Sequence, residues 1–87
     1  MRIATTDIGM SNAAEIAEAG IDAIRSGDTA IDLSAVQTCD SSAVAAVLAW
    51  QREAARAGSK LRLTGLPASL LSLAAVYGVD SLLAVAS

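Results

Sequence analysis

The 87-residue chain contains no histidine and no phenylalanine, and it has one cysteine, one proline and two aromatic residues, Trp50 and Tyr77. Without histidine, imidazole general-base chemistry and most zinc-ligand sets are excluded. The single Cys39 cannot form an internal disulfide. We therefore predict no catalytic residue, no cofactor and no metal site, and we do not expect an enzyme.

Positive charge is also scarce. Six Lys and Arg residues stand against nine Asp and Glu residues, which gives a formal net charge of −3 at pH 7. Nucleic-acid binding requires a basic face for the phosphates, and single strands are often held on aromatic side chains. The composition therefore predicts that nucleic acid is not a partner.

Long apolar runs are missing, although 54% of the residues are hydrophobic and the mean hydropathy is +0.53. The longest uninterrupted apolar run is Ala43–Trp50, far short of the ~20 residues that a membrane-spanning helix needs. At the N-terminus, Asp7, Asn12 and Glu15 come too early for the apolar region of a signal peptide. We expect a soluble, cytoplasmic protein that does not insert into the membrane.

Strand and helix patterns alternate through the first half of the chain. Residues 3–5 form a short extended start, and Asn12, followed by Glu15, fits a variant of the capping box at the start of a helix that ends at residues 26–27. The segment "TAIDL", residues 29–33, predicts a buried strand with Ile31 and Leu33 facing inward.

The second half repeats this alternation. After a loop through Cys39, Asp40 or Ser41 caps a second helix that ends at residues 57–58, and Ser41 is the preferred cap. "KLRLT", residues 60–64, alternates as a strand with one solvent-facing side. Pro67 suits the first position of a third helix that ends at Gly78. Its predicted inward residues are Leu70, Leu73, Ala74 and Tyr77. The tail, residues 80–87, fits either a short strand or a helical extension.

These elements predict one domain, residues 1–87, of the α/β class: a small sheet of parallel strands joined by right-handed crossovers, with helices packed mainly on one face. Only three strands are clearly indicated. Because so narrow a sheet has exposed edges, the N-terminal segment or the "LLAVA" tail should widen it, or a partner should cover it.

The order of strand, Asp-Ser turn, helix, glycine, strand and final helix over residues 29–79 resembles a STAS domain, the fold of the anti-sigma factor antagonists. Within that family, "LRLTGLPASLLSLAAVYGV" is most similar to the small MlaB-type subunits of bacterial Mla phospholipid ABC transporters. The chain departs from the family at Ala43, where a glycine is usual. The family's N-terminal hairpin is also shortened, since "ATTDIGM" lacks its glycine and its second acidic residue.

The resemblance implies a non-catalytic subunit that binds the cytoplasmic MlaF-like ATPase of a phospholipid-transporting ABC complex and supports its assembly or activity in outer-membrane lipid asymmetry. It implies a location at the inner face of the inner membrane, reached through this partner. The partner-binding residues expected from it are Asp40, Ser41, Ser42, Ala43 and Val44.

An alternative implied by the same resemblance is an anti-sigma factor antagonist. In that case the partner is an anti-sigma factor kinase, and the residue it phosphorylates is Ser41. Ser41 could also be a helix cap without any regulatory role, since a capping serine satisfies backbone donors by itself. A third possibility is edge-to-edge pairing of two copies through the "RIATT" segment.

Three features of the helices admit two interpretations each. Ala45, Ala46 and Ala49 either form an exposed flat patch for a partner or are simply good helix formers at an indifferent surface. Trp50 fits a core position better than an exposed anchor. Leu71 fits either the core or the patch.

Overall fold

The computed structural model describes residues 1–77. Its elements are β1 (Asp7–Ile8), α1 (Ala13–Arg25), β2 (Ala30–Asp32), β3 (Thr38–Cys39), α2 (Ser41–Arg56), β4 (Arg62–Thr64) and α3 (Ala68–Val76). The predicted α/β class is confirmed, with three helices and two small parallel sheets. The predicted helix end at Gly78 and the two interpretations of the tail lie outside the described residues.

The larger of the two sheets has β2 at its centre. β2 pairs with β4 in parallel, with Ile31 opposite Leu63. On its other side, the N-terminal segment adds a parallel bridge between Arg2 and Asp32, in which the Ile3 N–H donates to the Asp32 carbonyl oxygen at 2.9 Å. The N-terminal segment therefore widens the sheet as predicted.

The second sheet joins β1 to β3 in parallel, with Ile8 opposite Cys39. The prediction of a plain loop up to Cys39 is wrong. A two-residue strand is too short to produce a period in the sequence, and it exists here because the Asp40 N–H donates to the Ile8 carbonyl oxygen at 3.1 Å and the Gln37 N–H donates to that of Thr6 at 2.8 Å. This pairing positions the turn that precedes α2.

The start of α1 differs from the predicted capping box. Asn12 is the N-cap, but its side chain makes no capping hydrogen bond. Instead its Oδ1 accepts from the Gly9 N–H at 2.9 Å, and its Nδ2 donates to the Asp7 carbonyl oxygen at 2.8 Å. The predicted reciprocal bond with Glu15 is wrong because the Asn12 side chain is already engaged by the preceding turn.

The core lies between the strands and the helices. Ile31, Leu33 and Leu63 are fully buried, which confirms the inward faces predicted for both strands. Trp50 is also fully buried, so the core interpretation of this residue is confirmed. Gly20 of α1 lies against the indole ring, which leaves no space for a side chain at that position.

The third helix is buried along a narrower stripe than predicted. Leu70 and Ala74 face the core, but Tyr77 is 56% exposed and Leu71 is 43% exposed. The prediction that Tyr77 faces inward is wrong, because this residue caps the C-terminus of α3 and lies at the rim of the core. Pro67 is the N-cap and not the first helical residue.

Candidate interaction site at the start of the second helix

The turn before α2 is held by one carboxylate. Asp40 is the N-cap, with an extended backbone, and its Oδ1 accepts from the Ser42 N–H at 2.9 Å and also from the Ser42 hydroxyl. The preference for Ser41 as the cap is therefore wrong. Ser41 is the first helical residue, and the side chain before it is the one that reaches the free N–H groups of the first turn.

The same contacts determine the charge of this turn. The Ser42 hydroxyl, and after it the Ser42 backbone N–H, donate hydrogen bonds that lower the pKa of the Asp40 carboxyl below its usual value. Desolvation opposes this shift but has a smaller effect than either hydrogen bond. Asp40 is therefore an exposed carboxylate that is ionised at neutral pH. It places a negative charge at the surface, next to the Ser41 side chain.

The five predicted contact residues differ in exposure. Asp40 and Ser41 are exposed and Ser42 is half-buried, so all three can present polar groups to another molecule. Ala43 and Val44 are only 1% and 5% exposed and belong to the core. They therefore shape the site mainly by packing beneath it.

The predicted alanine patch is not flat and exposed. Ala46 is 3% exposed, whereas Ala45 is exposed and Ala49 is half-buried. Alanines of α1 and α2 together line a shallow groove of 250 Å³ between the two helices. The prediction is wrong for Ala46, because the small side chains here allow close packing of α1 on α2.

A second groove lies between α2 and the end of α3, directly beside the capped turn. It has a volume of 350 Å³ and is lined by Ser41, Val44, Ala45, Leu48 and Tyr77. Sequence reasoning missed Leu48 and Tyr77 as parts of a surface site. A tyrosine carries a hydroxyl that needs a partner when buried, and this signal favours a position at the rim. The groove combines an apolar surface with the hydroxyls of Ser41 and Tyr77.

Other reactive groups are not assembled into a site. Cys39 is half-buried, with its Sγ at 3.4 Å from the Ser69 Oγ. Within residues 1–77, no group of three or more Cys, Asp or Glu side chains is arranged to hold a metal ion. The helices of this part of the chain are too short or too polar to cross a membrane.

The parallel α/β fold and the capped serine turn are the features expected of a STAS domain. The family model described as "Mlab, STAS domain" matches residues 4–84, and the chain belongs to this family. STAS domains are generally non-catalytic domains for interaction and regulation. No curated protein matches the chain significantly.

Proposed function

We propose that this protein is the non-catalytic STAS subunit of a phospholipid-transporting ABC complex of the Mla type. In this role it binds the MlaF-like ATPase and supports the assembly or activity of the complex in outer-membrane lipid asymmetry. The family match supports the proposal at the level of the domain. The observation that carries it further is the exposed Ser41 side chain, placed between an ionised carboxylate and an apolar groove.

This arrangement has the composition of a protein-binding surface. Interfaces combine an apolar centre with hydrogen-bonding groups at the rim. Here Leu48 and Tyr77 supply apolar area, while Asp40 and Ser41 supply polar groups that can orient a partner. The buried Ala43 and Val44 keep the backbone of the first turn in place.

The remaining parts of the proposal follow from the partner. A subunit held by the ATPase resides in the cytoplasm, at the inner face of the inner membrane, without inserting into the lipid itself. ATP, lipid and any metal are handled by the other subunits, so this chain needs no cofactor and performs no catalysis. Nucleic acid has no role in this function.

The test is co-purification of the tagged protein from its own cells, followed by mass spectrometry of the bound proteins. We expect an ABC ATPase and its permease to be recovered with the wild type and with Ser41→Ala, and to be lost or strongly reduced with Ser41→Glu. The carboxylate of the glutamate adds a second negative charge beside Asp40 at the contact surface. Ser72→Glu, a matched change at an exposed position of α3 outside the groove, should behave as the wild type.

A second function is supported by the same exposed hydroxyl. If the protein is an anti-sigma factor antagonist, a kinase partner phosphorylates Ser41, and the phosphate lies at a helix N-terminus, where free N–H groups favour negative charge. Recovery of such a kinase together with phosphate on Ser41 would establish this function. The same result, without an ABC ATPase, would overturn the transporter proposal.

A further inference from the structure

The N-terminal segment forms an open edge of the larger sheet. Toward β2, the Met1 carbonyl oxygen accepts from the Asp32 N–H at 2.8 Å, and the Ile3 N–H donates to the Asp32 carbonyl oxygen at 2.9 Å. Because backbone groups alternate in direction along an extended strand, the N–H and C=O groups of Arg2 and Ala4 point away from β2. Both residues are exposed, and within the described part of the chain these outward backbone groups make no hydrogen bond.

An apolar groove accompanies this edge on its helix side. It has a volume of 270 Å³ and lies between the N-terminal segment and α1, where its apolar lining includes the buried Ile3, the half-buried Ile16 and the exposed Ala19. Arg2 and Glu15 also line it, and within the described part of the chain neither of them makes an ion pair. The surface therefore combines open backbone groups, apolar side chains and one charge of each sign.

We propose that two copies of this chain associate through this edge, with their N-terminal segments paired antiparallel around a two-fold axis that passes through the sheet between the two Ile3 residues. In this register Arg2 of each copy lies opposite Ala4 of the other copy. Each such pair exchanges both of its backbone hydrogen bonds, which satisfies all the outward groups of the two residues. The association goes beyond the proposed function and does not depend on it.

The backbone chemistry of the edge favours a second copy as the occupant. An open strand edge is complementary to another extended strand, and added strands bind mainly through backbone hydrogen bonds. The N-terminal segment of a second copy is such a strand, and its pairing with β2 already holds it in the extended conformation. It therefore loses little conformational freedom when the two edges meet.

The side chains are compatible with this pairing. The two Ile3 side chains become neighbours on the helix side of the joined sheet, as a close pair without backbone hydrogen bonds between them. On the opposite side, Arg2 faces the small Ala4 of the other copy, so no like charges lie directly opposite each other. A two-fold axis also repeats both Arg2 and Glu15, and the joined surface keeps equal numbers of positive and negative side chains.

The contact is small, so the dimer should be weak. The paired stretch covers only residues 2–4 of each copy, with added contacts along the flanks of the two α1 helices. Such an interface lies below the ~1,200 Å² that is typical of stable specific complexes. We expect a Kd of about 10 μM to 1 mM, so dimers form only in concentrated solution.

The experiment is sedimentation equilibrium of the full chain over a concentration series that reaches about 1 mM, with two matched pairs of variants. Ala4→Pro removes the outward N–H at a position that makes no backbone hydrogen bond within the described part of the chain, whereas Ala4→Ser keeps this donor. Ala19→Glu places a negative charge beside the edge, whereas Ala14→Glu places it at an exposed position on the flank of α1 that faces α2. Thermal unfolding of each variant separates loss of association from loss of folding.

We expect Ala4→Pro to raise the Kd of the dimer about 10-fold or more, because the change removes a hydrogen bond on each side of the two-fold axis. Ala19→Glu should also weaken the dimer, while Ala4→Ser and Ala14→Glu stay within about twofold of the wild type. In the wild type, amide hydrogen exchange at Arg2 and Ala4 should become slower as the concentration rises.

Ser41→Glu separates this association from the proposed function. The edge lies on the flank of α1 that faces away from α2, because the groove between the two helices is lined by other residues of α1. We therefore expect Ser41→Glu to leave the Kd of the dimer unchanged while it weakens binding of the ATPase. Failure of either measurement leaves the other one intact.

Four outcomes overturn the inference. The wild type stays monomeric at the highest concentration, or it associates but Ala4→Pro and Ala4→Ser have the same Kd, which places the contact elsewhere. The Arg2 and Ala4 amides are already protected in the monomer, which shows that the edge is covered within a single chain. In the last, these amides become protected only when the ATPase is added, so a strand of the ATPase occupies the edge.

Discussion

The indole Nε1 of Trp50 on α2 donates a hydrogen bond to the Ala17 carbonyl oxygen on α1, at 2.9 Å. The ring is fully buried, and Gly20 packs directly against it. This contact joins the two longest helices near their middles. Because α2 begins at the capped turn, the packing of Trp50 also positions the candidate interaction site at the start of that helix.

Replacement of Trp50 by phenylalanine should destabilise the protein. Trp50→Phe removes the hydrogen bond to Ala17 and part of the buried ring, for an expected loss of about 1–3 kcal/mol in the free energy of unfolding. Urea unfolding followed by far-ultraviolet circular dichroism measures this loss. Leu71→Ala, at an exposed position, should change stability by less than about 0.5 kcal/mol. An unchanged urea midpoint for Trp50→Phe would contradict the packing described here.

Gly20→Ala tests the close approach between the two helices. Alanine stabilises a helix interior by about 1 kcal/mol relative to glycine, but here a Cβ would overlap the Trp50 indole, well inside van der Waals contact distance. We expect the clash to prevail and to destabilise the protein by about 1–3 kcal/mol. In the double variant with Trp50→Leu the two effects should be less than additive, since the smaller side chain relieves the clash. Stabilisation by Gly20→Ala alone would show that the helices do not meet at this point.

Two glycines with a left-handed backbone form a matched pair. Gly58 has a φ of +74° with open space around the missing side chain, whereas Gly65 has a φ of +67° and a Cβ there would lie 2.6 Å from the Ser34 Cα. Gly58→Ala should cost about 1 kcal/mol from backbone strain alone. Gly65→Ala adds the clash with the backbone at Ser34, so its loss of stability should be larger by at least ~1 kcal/mol. Equal losses in urea unfolding would argue against the contact between the turn after β4 and the loop after β2.

The Asp40 cap predicts a pH dependence of stability. The pKa of this carboxyl in the folded state is lowered from 3.8, the value for the unfolded chain. The ionised carboxylate therefore contributes fully to the stability of the fold above pH 3.8, and this contribution is lost as the pH falls through the folded-state pKa. Asp40→Asn keeps a capping side chain without a titrating group, so the stability of this variant should fall less steeply below about pH 4. Asp28 and Asp32, whose pKa values are also lowered, maintain part of the acid dependence in both proteins.

The measurement is the urea midpoint from pH 2 to pH 7 for the wild type and the variant. Asp22→Asn, the same change at an exposed position of α1, serves as the control and should retain the steeper acid dependence of the wild type. If Asp40→Asn and the wild type lose stability in parallel, the Asp40 carboxylate does not support the helix in the way described.

Much of the fold could be predicted from the sequence because its signals are local. The alternation in residues 29–33 and 60–64 correctly placed Ile31, Leu33, Leu61 and Leu63 in the core. The Asp-Ser turn correctly marked the start of α2. The assignment of the capping bond to Ser41 failed because both residues are good caps, and only the backbone conformation at Asp40 distinguishes them.

The candidate site could be predicted only in part. Its polar residues Asp40, Ser41 and Ser42 are consecutive in the chain, so the Asp-Ser turn marked their position, and the resemblance to the STAS family implied their role in partner binding. Leu48 and Tyr77 come from two different helices, and nothing in their local patterns relates them. The short β3 was also missed, since it depends on hydrogen bonds to a segment about thirty residues earlier.

The sequence by itself determined the order of the three helices and of the two better-marked strands, the inward faces of those strands, the position of the turn before α2 and the resemblance to the STAS family. Only the tertiary structure decided which alanines are buried, which side chain caps α2 and which residues surround the groove. The period of a strand or helix depends on neighbours within a few residues, and these neighbours are visible in the sequence. The choice between two adjacent residues that are both good caps depends on the backbone conformation, which the sequence does not show. Exposure of a helix face depends on the packing of distant segments, here α1 and α3 against α2, which no local pattern specifies.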